Sequence, residues 1–367
     1  MYYPVFPFVG LSDLLYFCTQ KIPFMKKRKI LMRISFLLAV FIIAGIVIIW
    51  KSFFAPVQVA DEGLDIYIGR DALYEDVKDS LRASGILVNE AAFDMLAKRK
   101  RYTSNIKPGR YVITDNMSNN DIVNLLRSGS QSPVMITFNN IRTLSDLSQN
   151  LGKQLALDSA EIYSALTDES LYSSEGFIRE TIIAAFIPDT YEVYWTVSAA
   201  DLVSRMISEF RSFWNRERIN KARDMGLEPV EVSILASIVD DEVLKAEEKP
   251  KIAGVYINRL RRDMPLQACP TIKFALNDFT IRRILNKHLK VDSPYNTYTH
   301  KGLPPGPVRC PSKQGINAVL NATDHNYLYF VARHDFSGYH HFSTNLRDHI
   351  NYANKYQIEL DRLQIYR

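Results

Sequence analysis

From Ile34 to Trp50 the chain runs for 17 residues without a charged side chain, and Ile30 to Met32 prolong the apolar character beyond Arg33. A helix needs ~20 apolar residues to cross a bilayer core, with ~17 as the lower limit. The stretch therefore predicts a single transmembrane helix over residues 30–50. Basic residues cluster before it, only Lys51 follows directly, and Trp50 marks its far edge. By the positive-inside rule this predicts a cytoplasmic segment over 1–29 and an exported body. A cleaved signal peptide shares the basic-then-apolar order, but no small-x-small cleavage site follows the run. Residues 1–24 suit neither pattern, and Met25-Lys26-Lys27-Arg28-Lys29 is the expected natural start, which would make the preceding residues a start-site extension.

The formal charge is +5, a balance that could be read as a nucleic-acid footprint. All of it lies within the first 50 residues, where Lys21, Lys26, Lys27, Arg28, Lys29 and Arg33 face only Asp13. The remainder is neutral, which argues against a nucleic-acid-binding body. Three cysteines cannot make a disulfide scaffold, so an apolar core must hold the body. Cys18 falls on the cytoplasmic side of this topology, leaving Cys269 and Cys310 in the oxidising compartment, either paired or as two buried free thiols.

Two units are expected beyond the membrane, over 60–130 and 134–367. In the first, Asp65 to Ile68 alternate like a strand, and Leu73, Val77 and Leu81 recur at helical spacing until Gly85. A helix around Phe93 and Leu96, a turn feeding a strand over 106–113 and a helix capped by Asn119-Asn120-Asp121 and ended by Gly129 complete a small α/β unit. Ser128 to Pro133 reads as a boundary. In the second unit Val134 to Phe138 is strand-like, and Leu144, Leu147, Leu151 and Leu155 mark one helix. Leu202, Met206, Phe210 and Phe213 mark another. Phe186 to Tyr191, interrupted by Pro188, reads as a loop. Segregated helices with few strands predict an α+β fold.

The predicted helix over 230–248 carries Ile234, Leu235, Ile238 and Val239 and then the triplet Asp240-Asp241-Glu242. At ~100° per residue Glu242 falls within the apolar stripe, Asp241 at its edge, and Asp240 away from it. Desolvation raises the pKa of a carboxyl so placed, as a general acid near neutral pH requires. A helix end turned toward solvent, or a buried Glu242 paired with Arg259, is the alternative. Downstream come Asn258-Arg259, Leu266-Gln267-Ala268-Cys269-Pro270-Thr271, Tyr295-Asn296-Thr297-Tyr298 and Gly302-Leu303-Pro304-Pro305-Gly306. Proline-stiffened loops rich in neutral donors, acceptors and aromatic faces suit sugar hydroxyls and acetamido groups.

These segments resemble the endolytic murein transglycosylases, also called MltG or YceG-like proteins. Ala236-Ser237-Ile238-Val239 leading to Glu242, Tyr256-Ile257-Asn258-Arg259-Leu260, Met264-Pro265-Leu266-Gln267, Tyr327-Leu328-Tyr329-Phe330-Val331-Ala332 and His341-Phe342-Ser343 extend the match over nearly everything after the apolar run. The resemblance implies an inner-membrane anchor in a bacterial cell, a LysM-like subdomain over the first α/β unit and a larger mixed catalytic domain that cuts glycan strands internally. It implies Glu242 as the catalytic acid. It further implies peptidoglycan as substrate, action near nascent strands alongside wall-synthesis proteins, and substrate contacts from Asn258, Arg259, Gln267, Thr271, Tyr295, Asn296, Thr297, Tyr298, Pro304 and Pro305. No cofactor, metal or nucleic acid is expected.

Three positions depart from the family pattern. Glu-x-Glu-Thr is here Asp240-Asp241-Glu242-Val243, Gln-Thr-Asp-Pro-Thr is Gln267-Ala268-Cys269-Pro270-Thr271, and Cys310 stands where the family has no cysteine. A cysteine on each of two active-site loops favours a Cys269–Cys310 disulfide. The implied chemistry uses one carboxyl, with Glu248 and Asp189 as candidate auxiliaries, and forms 1,6-anhydro-MurNAc ends without adding water. Three rival readings remain: a hydrolytic muramidase, a non-catalytic glycan-binding scaffold, and a thiol protease using Cys269 with His300 or His341.

Overall fold

The computed structural model describes residues 24–59, 63–87, 89–243 and 245–365. Cys18 and the region before Phe24 lie outside the described residues. Among the described residues the fold mixes helices with three separate two-stranded sheets, an α+β arrangement. The chain divides into two compact units, one built mainly from residues up to Ser130 and the other from Gln131 onward.

In the first unit helix α1 (Phe24–Phe54) is longer than the apolar run, because nothing in the basic stretch before it breaks a helix. Its segment Arg28–Phe54 is long and apolar enough to cross a membrane, and none of the apolar window is buried by protein. At ~1.5 Å per residue, the 27 residues of that segment exceed a ~30 Å hydrocarbon core. Strands β1 (Leu64–Ile68) and β2 (Gly109–Ile113) pair with each other. Helices α2 (Tyr74–Ala83), α3 (Glu90–Arg99) and α4 (Asn119–Ser128) enclose a core of Ile66, Val77, Leu81, Phe93, Tyr111 and Ile122. The cap of α4 is Ser118, one residue before the expected Asn119: its hydroxyl accepts from Asp121 N–H, and the Asp121 carboxylate reaches back to Ser118 N–H at 3.0 Å. Gly129 ends α4 in the left-handed region at φ 74°, which costs glycine little.

The second unit opens with β3 (Val134–Thr137), antiparallel to β4 (Thr190–Val193), with Ile136 opposite Tyr191. Phe138 stacks on Tyr191 at 5.7 Å. The segment expected as a loop thus runs into a strand at Thr190, since Tyr191 and Val193 alternate inward. Helices α5 (Leu144–Gly152), α6 (Ser159–Thr167) and α7 (Ala199–Phe213) follow, and Leu155 is buried beyond the end of α5. α8 (Arg216–Asp224) leads into α9 (Pro229–Glu242).

α9 is the centre of this unit. Pro229 begins it, where a missing N–H costs nothing, and every residue from Val232 to Asp240 is buried. A helix apolar all round has no solvent face, and it packs against α10 (Lys249–Arg261), α11 (Cys269–Ala275) and α12 (Lys313–Leu320). Ser233 and Ser237 fit by returning their hydroxyls to the carbonyls of Pro229 and Ile234, at 2.9 and 2.7 Å. The helix stops at Glu242 instead of continuing to Glu248, because Val243 turns extended. Glu248 belongs to a short 3₁₀ turn that leads into α10. β5 (Tyr329–Ala332) pairs antiparallel with β6 (His340–Ser343), and α13 (Leu346–Arg362) packs against both.

Candidate active site

The end of α9 presents three successive carboxylates in three surroundings. Asp240 is buried: its Oδ1 accepts from Lys249 Nζ at 2.7 Å and from the Ser312 hydroxyl at 2.9 Å, and its Oδ2 accepts from Ser312 N–H at 2.8 Å. The periodicity turned Asp240 away from the apolar stripe, and the side of α9 opposite the stripe is buried too. Lys249 opens α10 and Ser312 caps α12, so one carboxylate ties three helices together. Gly315 is required there, because a Cβ would collide with the Asp240 carboxylate.

Asp241 lies between two guanidinium groups, with Arg142 Nη2 at 2.6 Å and Arg309 Nη1 at 3.3 Å. Glu242 has neither kind of partner. Its side chain keeps some exposure, yet Oε2 is sealed from solvent and makes no hydrogen bond. Burial first and the Asp241 charge second push its carboxyl up to about 7, opposed by Lys273. At neutral pH a large fraction of Glu242 therefore carries a proton.

Neutral groups enclose it. Tyr256 on α10 is wholly buried with an unpartnered hydroxyl, and burial together with the Glu242 charge holds its phenol well above the usual value. Cys269 on α11 is pushed up to about 11 by burial and then by Glu242, and its Sγ stands 3.5 Å from Tyr298 Oη. The Tyr298 phenol is raised by burial and by Cys269. A thiol that stays protonated is a poor nucleophile, which weighs against the protease reading. Cys269 and Cys310 are both free, so the expected disulfide is not formed. Cys310 instead packs into the core, its N–H donating to Ile141 C=O at 2.8 Å.

The other candidate residues fall into two groups. Asn258, Arg259, Thr271, Asn296 and Thr297 spend their polar atoms on the protein. Asn258 Nδ2 donates to the carbonyls of His325 and Tyr327 at 2.6 and 3.1 Å. Arg259 is buried and donates to Leu328 C=O at 2.6 Å, Leu266 C=O at 2.9 Å and Gln267 Oε1 at 3.2 Å. Asn296 Nδ2 holds the carbonyls of Leu289 and Val291 at 3.0 and 2.8 Å. Thr271 and Thr297 hydroxyls meet at 2.8 Å, and Thr297 Oγ1 accepts from Ala268 N–H at 3.0 Å. These five shape the loops around α11.

Gln267, Tyr295, Tyr298 and Pro305 keep exposed surface, while Pro304 is buried. Gln267 holds a left-handed φ of 53°. The loop of Pro304 and Pro305 is fixed by Val308 N–H donating to Ser237 Oγ at 3.0 Å, and it passes so close to the Glu180 carbonyl that Gly306 admits no side chain. Tyr295 packs on Phe274 at 4.6 Å, and both line a cavity of about 660 Å³ walled also by Phe279, Tyr163, Arg142 and Arg179. Arg142 thus belongs both to this cavity and to the Asp241 pair. Of the candidate auxiliaries, Asp189 is paired with Lys313, and Glu248 with His340 Nδ1 at 2.8 Å. Among the described residues no group of three or more His, Cys, Asp and Glu could hold a metal ion.

Arg142, Arg309, Lys273 and the hydroxyl of Tyr256 are absent from the sequence-derived site. Arg309 is 68 residues from Asp241 and stands in no motif that marks it. Tyr256 lies two positions before Asn258, in a segment that carries the family resemblance and in a helix whose inward face the Ile252 and Val255 pattern indicates.

Residues 66–355 match the model of the YceG-like family. An endolytic murein transglycosylase of Streptococcus pneumoniae serotype 2 is 28% identical over 306 residues, covering 75% of this chain and 55% of the relative. The chain thus spans about half the length of that relative. The endolytic murein transglycosylase of Bacillus subtilis is 25% identical over 339 residues, 86% of this chain and 91% of the relative. A crystal structure of a YceG-like protein from Listeria monocytogenes has a TM-score of 0.53 at 25% identity, covering 80% of this chain and 99% of that one.

Proposed function

The chain belongs to the YceG-like family, and from that premise we propose that it is an endolytic lytic transglycosylase that cuts peptidoglycan within its glycan strands. The observation that carries this reading is Glu242, whose Oε2 is sealed from solvent without a partner and whose carboxyl is held up to about 7. Glycosidases that add water commonly use two carboxyl groups. Asp240, Asp241 and Asp189 are engaged in ion pairs and Glu248 is bonded to His340, so within the acidic triplet only Glu242 keeps a buried oxygen without a partner, and single-acid chemistry suits it.

Protonated Glu242 gives its proton to the oxygen bridging MurNAc and GlcNAc. The MurNAc C1–O bond breaks, GlcNAc leaves with its 4-hydroxyl, and positive charge develops at C1. The C6 oxygen of the same MurNAc then bonds to C1, and its proton passes to the Glu242 carboxylate, restoring the acid. Intramolecular attack needs no water and gains from a closed site, as the sealed surroundings of Oε2 suit. Tyr295, Tyr298, Gln267 and Pro305 would offer hydrogen bonds and aromatic faces to the sugars, with Asn258, Arg259, Thr271, Asn296, Thr297 and Pro304 holding their loops. The 1,6-anhydro ends would terminate growing strands, beside wall-synthesis proteins. α1 would anchor the chain in the bacterial cytoplasmic membrane with its N-terminus inside, and the small α/β unit would hold glycan as a LysM-like module.

Mass spectrometry of purified glycan strands digested by the full chain tests the reading. Anhydro-MurNAc ends are expected. Ends heavier by one water would make it a muramidase instead, and intact strands a binding scaffold.

A further inference from the structure

Glu242 shares the end of α9 with a carboxylate that cannot move away from it. Asp241 is the preceding residue and is nearly covered, with 7% side-chain exposure. Its two arginines come from elsewhere: Arg142 precedes α5, and Arg309 follows the Gly306 loop. Both are themselves fixed. The Arg142 guanidinium lies over the Phe279 ring at 4.6 Å, and Arg309 Nη2 donates to Asn140 Oδ1 at 2.7 Å.

The remaining groups around Glu242 are Lys273 and Cys269 on α11, Tyr256 on α10 and Tyr298 in the loop after Asn296, with Arg259 beyond the tyrosines. The thiol and both phenols are neutral at pH 7, since burial raises each. The charges that bear directly on the acid are thus Asp241, which raises it, and Lys273, which opposes it, and Asp241 in turn is held by its two arginines. We propose that Asp241, gripped by Arg142 and Arg309, is a positioning residue that keeps Glu242 protonated, and that the two arginines limit how far it does so. The assignment rests on Glu242 being the proton donor of the proposed reaction, and it adds a tuning cluster that need not touch the sugar. The Asp241 charge is the second cause, after burial, of the raised Glu242 carboxyl.

The cluster predicts shifts of opposite sign from its two ends. Asp241→Asn removes a like charge and leaves two uncompensated cations, so Glu242 ionises at lower pH. Arg142→Gln leaves Asp241 with Arg309 alone, so Glu242 ionises at higher pH. The experiment follows the Glu242 carboxyl by carbon-13 NMR in the full chain in detergent, assigned with Glu242→Gln, beside the alkaline limb of kcat/KM on glycan strands. For Asp241→Asn both should move down by about 1 pH unit, for Arg142→Gln up by about half a unit, and Asp241→Glu should restore the wild-type position. Shifts of the same sign in both variants, or a uniform fall in rate with no shift, would overturn the proposal. If Asp241→Asn fails to fold, the upward shift in Arg142→Gln still decides it. If the wild type cuts no glycan, the transglycosylase reading fails, while the NMR titrations judge the cluster independently.

Discussion

The two sides of the α9 C-terminus treat a buried carboxylate in opposite ways. On the side of α10 and α12, Asp240 has an ammonium, a hydroxyl and a backbone N–H within 2.9 Å. On the side facing α11, two residues further on, Glu242 Oε2 is buried with nothing to accept from. Satisfying a buried charge fixes structure, whereas leaving one unsatisfied moves its pKa and stores a proton for use. The contrast arises because α9 is buried all round, so adjacent residues meet different neighbours within one turn.

The sharpest way to break this comparison is to remove the function from one side. Glu242→Gln keeps shape and burial but cannot release a proton, and cleavage should fall about 10²- to 10⁴-fold, the range for a general acid. Release of anhydro ends from labelled strands measures it. Wild-type turnover in this variant would make Glu242 a bystander. Asp240→Ala should act on folding instead, since it strands Lys249 as a buried cation with 9% exposure. Breaking such a pair costs about 3–5 kcal/mol, read from denaturant unfolding. A loss under 1 kcal/mol would mean that Asp240 is no structural anchor.

A smaller effect separates the sides by pH. The Glu242 carboxyl goes from an ordinary 4.5 to about 7 on folding, so the folded state binds the proton more tightly. A group raised in this way favours folding fully below pH 4.5, and that support is lost as pH rises through about 7. Relative to wild type, Glu242→Gln should therefore gain stability between pH 4 and pH 8, by at most about 3 kcal/mol at ~1.4 kcal/mol per pH unit. Thermal melts at both pH values measure the difference. A pH-independent difference would mean that Glu242 titrates like a solvated carboxylate.

How much of this was legible depends on the range of the interaction. The wheel that put Glu242 on the apolar stripe used only local periodicity, and one oxygen of that carboxyl, Oε2, is sealed from solvent. The same wheel turned Asp240 away from that stripe, but periodicity reports an apolar face and not whether the opposite face is also covered. α12 and Lys249 cover it. The helix stop at Val243 was missed because Val243 and the residues after it include no glycine or proline until Pro250. The elements of the small unit were readable from Val77, Leu81, Ile122 and Gly129, each a signal within one turn. Arg142 and Arg309 reach Asp241 only through the tertiary fold. Asn258 and Arg259 were visible as polar and sequence-specific, but composition alone revealed neither that they lie in α10 nor that their donors are spent on carbonyls.

The smallest predicted effect tests the comparison at single hydroxyls. Ser312 and Tyr256 each place one near the α9 end, bonded to Asp240 at 2.9 Å in the first case and unpartnered in the second. Removing a hydrogen bond to a charged group costs about 1.5–3 kcal/mol, so Ser312→Ala should destabilise the protein, with its own N–H bond to Asp240 limiting the loss to the lower end. Tyr256→Phe deletes a donor that is desolvated without return, and it should leave stability unchanged or raise it by about 1 kcal/mol. Opposite signs in the two unfolding curves would tie the difference between the two sides to hydrogen-bond satisfaction. A loss of more than 1 kcal/mol in Tyr256→Phe would mean that its hydroxyl has a partner in solution, and the Glu242 side would then be a satisfied network like its neighbour.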